Sequence, residues 1–131
     1  MKRDELKGLS NARLENAKEC LSAAKTLFEL GNYKSAANRS YYAIFHAMRA
    51  VLALDEVDMK HHSGIISEFR RRYVKTNIFD AFLSDIISAL FEIRTDSDYD
   101  DFFVISKADI ELQIKNAEFF LNTICDYFKD K

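Results

Sequence analysis

Apolar residues along this chain recur at intervals of three and four, the spacing that places side chains on one stripe of an α-helix. Ala17, Cys20, Leu21, Ala24, Leu27 and Phe28 form the first stripe and predict a helix over about residues 4–30. Gly31-Asn32 should stop it, because both residues accept positive φ more readily than others do. A second helix is expected from Tyr33 to Leu54. Its stretch Tyr41-Tyr42-Ala43-Ile44-Phe45-His46-Ala47-Met48 is apolar almost all round, as in a helix packed on several sides, which marks it as the central one. Asp55-Glu56-Val57-Asp58 breaks the pattern, and Ile65, Ile66, Phe69 and Tyr73 then mark a shorter third helix with a basic face. After a turn at Thr76-Asn77, Phe79, Phe82, Ile86, Leu90 and Ile93 define a fourth helix. No period is visible from Arg94 to Ile105, so that stretch reads as a long acidic connection. Ser106-Lys107-Ala108-Asp109 has the form of a helix start, with a hydroxyl to cap free N–H groups and a carboxylate in the first turn. Ile110, Ile114, Ala117, Leu121, Ile124 and Phe128 carry the fifth helix.

About five amphipathic helices with mostly short connections predict an all-α fold, an antiparallel up-and-down bundle. The length of 131 residues suits one hydrophobic core, so residues 1–131 are expected to form a single domain. The absence of proline, with only three glycines, removes the punctuation that an all-β chain needs for its tight turns. Nineteen basic against 21 acidic residues give a net charge of -2, so no global field attracts nucleic acid or an anionic membrane, and any such contact must be local. No apolar run reaches the roughly 18 to 20 residues of a bilayer span, and Met1-Lys2-Arg3-Asp4-Glu5 leads into a charged amphipathic segment rather than a signal sequence. These features point to a cytoplasmic protein without membrane contact. Cys20 and Cys125 are too few for a disulfide framework and are not clustered for zinc, so both read as buried thiols. Eleven phenylalanines and six tyrosines are more aromatic surface than a small bundle needs inside, which suggests a self-association face.

The central helix also carries a polar stripe. Arg39, Tyr42, His46 and Arg49 fall within roughly 80° of arc at about 100° per residue, while Ile44, Met48, Val51 and Leu52 face the other way. Ala36, Ala43, Ala50 and Ala53 beside the stripe would let a backbone or a ligand approach closely. In a functional reading Arg39 binds phosphate, His46 moves a proton or donates to an anion, and Tyr42 orients one of them. In a purely architectural reading, the stripe is a hydrogen-bonded interface between helices or subunits. His61 and His62 are adjacent and diverge too far to chelate one ion from the same face, but one of them could bind an anion with the free N–H groups at the start of the third helix. Arg70-Arg71-Arg72, with Lys60, Lys75 and Tyr73, is the concentrated basic patch. It is either an RNA contact or a solvated face neutralised by the nearby acidic loop. Asp96 to Asp101 resembles the start of a calcium loop, yet Asp101 stands at the glycine position and Lys107 at the glutamate position, so no EF-hand is expected. No phosphate-cradling glycine loop, zincin pair or nucleophile elbow occurs, and neither a metal nor a cofactor is expected.

Tyr33 to Ala47, then His62-Ser63-Gly64-Ile65-Ile66 and Phe69, together resemble the HEPN (higher eukaryote and prokaryote nucleotide-binding) family. Arg94, Asp98 and Tyr99 and a closing helix with Ala117, Phe119 and Phe120 extend the resemblance over nearly the whole chain. The resemblance implies a helical bundle that commonly forms a homodimer and is often paired with a small nucleotidyltransferase in toxin–antitoxin or defence systems. Many members of that family are metal-independent ribonucleases that use an arginine followed four to six residues later by a histidine, joined with the symmetry-related pair in a dimer cleft. The counterpart here begins at Arg94, but Tyr99 stands where histidine is expected, and a phenol, ionising near about pH 10, is a poor proton shuttle at neutral pH. Arg39 and His46 satisfy the bare spacing, though within the second helix. Arg94, Tyr99, Arg39 and His46 are therefore the catalytic candidates. Arg39, Tyr42, His46, His62, Arg94 and Asp98 are the ligand-binding ones. The reading that results is a non-catalytic or weakly catalytic binding module linked to a nucleotidyltransferase. The alternatives are an endoribonuclease toxin and an accessory protein that binds a nucleotide or another anion.

Overall fold

The computed structural model describes residues 3–130, and among these it contains helices and no strands. The helices are α1 (Arg3–Glu29), α2 (Tyr33–Leu54), α3 (His62–Phe69), α4 (Phe82–Tyr99) and α5 (Lys107–Lys129). The expected all-α bundle is what forms. None of these helices is long and apolar enough to cross a membrane.

Helix α2 is the central element, packed by α1, α3, α4 and α5. Its apolar girth explains this position: Ile44, Met48, Val51 and Leu52 are buried, and so are the alanines at 36, 43, 47 and 50. These small side chains let neighbouring backbones come close, and α1 answers with Ala17 and Ala24, also buried. The α1–α2 corner turns on Gly31 alone, at φ 80, while Asn32 keeps φ -87, so only the first of the two expected residues takes positive φ. The Gly31 and Asn32 amides donate to Phe28 O and Leu27 O at 3.0 and 2.9 Å and close the helix end.

The sequence reading needs correction in four places. First, Arg94 to Ile105 is not all connection, because α4 continues to Tyr99. Its last turns bury only the small Ser97 and are held by the Thr95 hydroxyl donating to Phe91 O at 2.9 Å and by the Arg94–Asp98 ion pair, so no apolar period marks them. Second, α4 starts at Phe82, not Phe79. Asp80 accepts the Phe82 amide at 2.8 Å to start the helix, while Phe79 enters the core from the preceding turn and stacks on Phe69 and Tyr73. Third, Cys20 and Cys125 are half-buried rather than buried, although burial is enough to push both thiols up. Fourth, the acidic loop does not neutralise the basic run. Arg71 and Arg72 pair with Glu68 at 2.7 and 2.9 Å, and their hydrogen bonds hold its carboxyl at about 2.

Helix α3 widens at its end into a π-helical turn, Arg70–Val74, closed by Lys75 N donating to Arg70 O at 2.9 Å. The turn aims Arg70 at α4, where it donates to Ser84 Oγ at 2.9 Å and Ser88 Oγ at 2.6 Å. Because Arg70 meets the start of α4 while His62 lies near its end, α3 and α4 run antiparallel. At α5 the expected cap is present, Ser106 Oγ accepting the Asp109 amide at 3.1 Å.

Candidate functional site

The polar stripe of α2, the first residue of α3 and the C-terminal half of α4 converge on one cluster of rings and cations. At its centre is Tyr41, 0% exposed, whose hydroxyl lies 2.8 Å from His62 Nδ1. His61 before it is extended and exposed, so the adjacent histidines part company as their helical divergence requires. The His62 ring stacks on Phe45 with centroids 4.0 Å apart and meets Tyr42 edge-on at 5.8 Å. Both rings come from α2 and fix the imidazole in place.

Arg94 crosses from α4 to cover this aromatic wall. Its guanidinium carbon lies 5.4 Å from the centre of the Tyr41 ring and 5.9 Å from that of Tyr42, both within cation–π range. Arg39 covers Tyr42 at 5.0 Å. Asp98 answers Arg94, with Oδ2 3.3 Å from Nε, but the N–H is not aimed at the carboxylate, and Nε is left buried without a hydrogen-bond partner. Arg39 bonds the neutral Asn38 Oδ1, at 3.2 and 2.7 Å, and reaches the Cys20 thiol, with no carboxylate among its described partners. The cluster therefore keeps cationic character that its own carboxylate does not discharge.

His46 sits one turn further along α2, touching Tyr42 and Phe45 at 6.1 and 5.9 Å between ring centres. Its Nδ1 is buried without a partner. Beyond it, Arg13 and Arg49 share Asp58 at 3.4 Å each. Burial lowers the His46 pKa, and Arg49, Arg39 and Arg13 lower it further. His62 is lowered likewise, by burial first and then by Arg94 and Arg49. Both shifts favour the neutral imidazole over the charged one. Burial pushes the Tyr41 phenol up, so its hydroxyl keeps its proton. The bond between them has two chemical forms: Tyr41 donates to Nδ1 and leaves a proton on Nε2, or Nδ1 donates to Tyr41 and leaves Nε2 as an acceptor.

Of the sequence candidates, Arg39, Tyr42, His46, His62, Arg94 and Asp98 all come together here. Tyr99 does not. It is 87% exposed at the end of α4, with no ring contact to the cluster among the described residues. Sequence reasoning missed Tyr41 and Phe45, which orient His62, and Arg13 and Asp58, which surround Arg49. Tyr41 and Phe45 were hidden in an apolar run, where a buried ring and an orienting ring look alike. Among the described residues no three His, Cys, Asp or Glu side chains group as metal ligands.

A family model described as HEPN domain matches residues 10–127. Among curated proteins, "Putative toxin MJ0142" of Methanocaldococcus jannaschii is 31% identical over 118 residues, covering 90% of this chain and 80% of its own. "Putative toxin MJ0605" of the same organism is 34% identical, with 91% and 88% covered. A UPF0332 protein of Thermotoga maritima is 33% identical, with 87% and 86% covered. The matched span takes in α2, His62 and Arg94, the elements that build the cluster, and on this evidence the chain belongs to the HEPN domain family.

Proposed function

We propose that this HEPN domain is a phosphate-recognition module of a toxin–antitoxin type of system, holding an RNA or nucleotide phosphate between His62, Arg94 and Arg39 with little or no cleavage. One observation carries the reading: the His62 imidazole, oriented by Tyr41, lies against an aromatic wall that also carries two guanidiniums. With Tyr41 donating to Nδ1, His62 presents Nε2–H, which can donate to a phosphate oxygen but cannot take a proton from an attacking hydroxyl. The guanidiniums supply charge in a partly dry setting, where a charge-assisted hydrogen bond is stronger than in water. Tyr99, in the place where the family resemblance expects histidine, is directed to solvent. The names of the two Methanocaldococcus relatives support the toxin-type context. The resemblance supports a homodimer and a small nucleotidyltransferase as the partners to look for.

His46 favours a second reading, a metal-independent endoribonuclease. Its Nδ1 is buried, but a neutral, half-buried imidazole could take up the 2′-hydroxyl proton at its other ring nitrogen, Nε2, while Arg39, whose charge acts on that ring, stabilises the phosphorane charge. A thermal-shift titration with inorganic phosphate and ADP tests the shared premise. Saturation at roughly ten times the dissociation constant should add about 1.4 kcal/mol of stability to the wild type and none to Arg94→Ala. Equal shifts in both would remove the site from consideration.

A further inference from the structure

A second feature adjoins the cluster. Between the antiparallel α3 and α4 runs a groove of about 400 Å³. Its floor is Ile66, Ile87 and the flank of Phe91. Phe91 is also the link to the cluster, its ring centre 6.1 Å from that of Tyr41. Ser63, Ser67 and Ser88, all exposed, put hydroxyls along the rim. Arg70 and Lys75 close the far end. No described ion pair includes either of them, and the Arg70 hydrogen bonds run only to the neutral oxygens of Ser84 and Ser88, so this end stays positive. No carboxylate lines the groove.

We infer that this groove is a nucleobase subsite, taking the base of a nucleoside phosphate whose phosphate is held at His62 and Arg94. The inference rests on the phosphate reading above and specifies its ligand. An apolar floor with one aromatic ring suits the flat face of a base, and hydroxyls serve as donor or acceptor to its edge without selecting one base strongly. The ends carry the same sign of charge. From His62 to Arg70 is eight helical residues, about 12 Å of rise, or roughly two phosphate steps of a strand, so a strand with one phosphate at the cluster can bring a later phosphate toward Arg70 and Lys75. A peptide would leave both cationic ends without a matching charge unless acidic at each, whereas a polynucleotide supplies that charge by its nature.

Fluorescence anisotropy with a labelled hexauridylate strand, competed by the same strand lacking its bases, by ADP and by inorganic phosphate, tests this. Wild type should prefer a base-bearing ligand over its base-free counterpart by roughly tenfold, the range expected for one stacked base. Ser67→Phe, at an exposed rim position, should erase that preference while leaving inorganic phosphate binding unchanged. Lys75→Glu should weaken the strand at least threefold, and circular dichroism melts would verify the fold of both variants. Preference confined to the strand identifies RNA as the source, and preference confined to ADP identifies free nucleotide, either of which supports the groove. Phosphate binding with no base preference, or a preference intact in Ser67→Phe, overturns the groove and spares the phosphate site. Binding of no probe, phosphate included, overturns both.

Discussion

Replacing Tyr41 with phenylalanine deletes one hydroxyl and keeps the ring that stacks on Phe45 and carries Arg94, so it isolates the bond to His62. That bond is worth about 0.5–1.5 kcal/mol, and its loss leaves His62 Nδ1 in a half-buried site without a protein partner. A stability loss of about 1 kcal/mol follows, near 4 °C in Tm for a chain of this size. The sign of a second change is more informative. If Tyr41 donates, its hydroxyl stabilises neutral His62, and Tyr41→Phe raises the proton affinity of that imidazole roughly two- to tenfold. If Nδ1 donates, the lost acceptor had favoured the charged ring, and the proton affinity falls. An NMR titration of the His62 ring protons in both proteins separates the cases. A downward change in a folded Tyr41→Phe variant would refute the Nε2–H donor on which the phosphate-recognition reading depends.

Three further outcomes follow from the same structure. His46 and His62 have pKa values depressed below the usual 6.5, so as pH falls through that value the unfolded chain takes up protons before the folded one. Stability to urea should therefore be greatest above about pH 7 and fall as the pH drops below about 6.5, before Glu68, held at about 2, begins to contribute; a midpoint that stays level would contradict the shifts. Ile44→Ala, at a fully buried position of α2, should cost about 2–4 kcal/mol in chemical denaturation, because the central helix is packed on several sides and cannot collapse around the void. Ser106→Ala removes the hydroxyl that accepts the Asp109 amide and should cost about 1 kcal/mol in the same measurement, with no change in ligand binding.

The helices were legible where burial left a period. The α2 stripe and the α5 cap could be read from residue order because local geometry alone decides them. The end of α4 could not, since its last turns bury a serine and draw on an ion pair and a threonine back-bond, none of which leaves an apolar repeat. Phe79 fits the apolar spacing of a helix, because that spacing does not distinguish a turn residue that dips into the core. At the site, the sequence gathered Arg39, Tyr42 and His46 by periodicity, offered His62 or its neighbour by their place at a helix start, and reached Arg94 and Asp98 by resemblance. It could not show that Tyr41 and Phe45 hold His62, because that depends on α3 folding back over α2. Nor could it show that Tyr99 points away, because residue order does not reveal how α4 rotates as it ends.

The most direct test is incubation of single-stranded RNA with the purified protein in chelator, with binding and strand integrity followed in the same samples for wild type, Arg94→Ala, His46→Ala and His62→Ala of verified fold. The phosphate-recognition account predicts that wild type retains the strand intact and that Arg94→Ala and His62→Ala release it. Cleavage by wild type that disappears in His46→Ala or His62→Ala would contradict the account and establish the ribonuclease reading in its place.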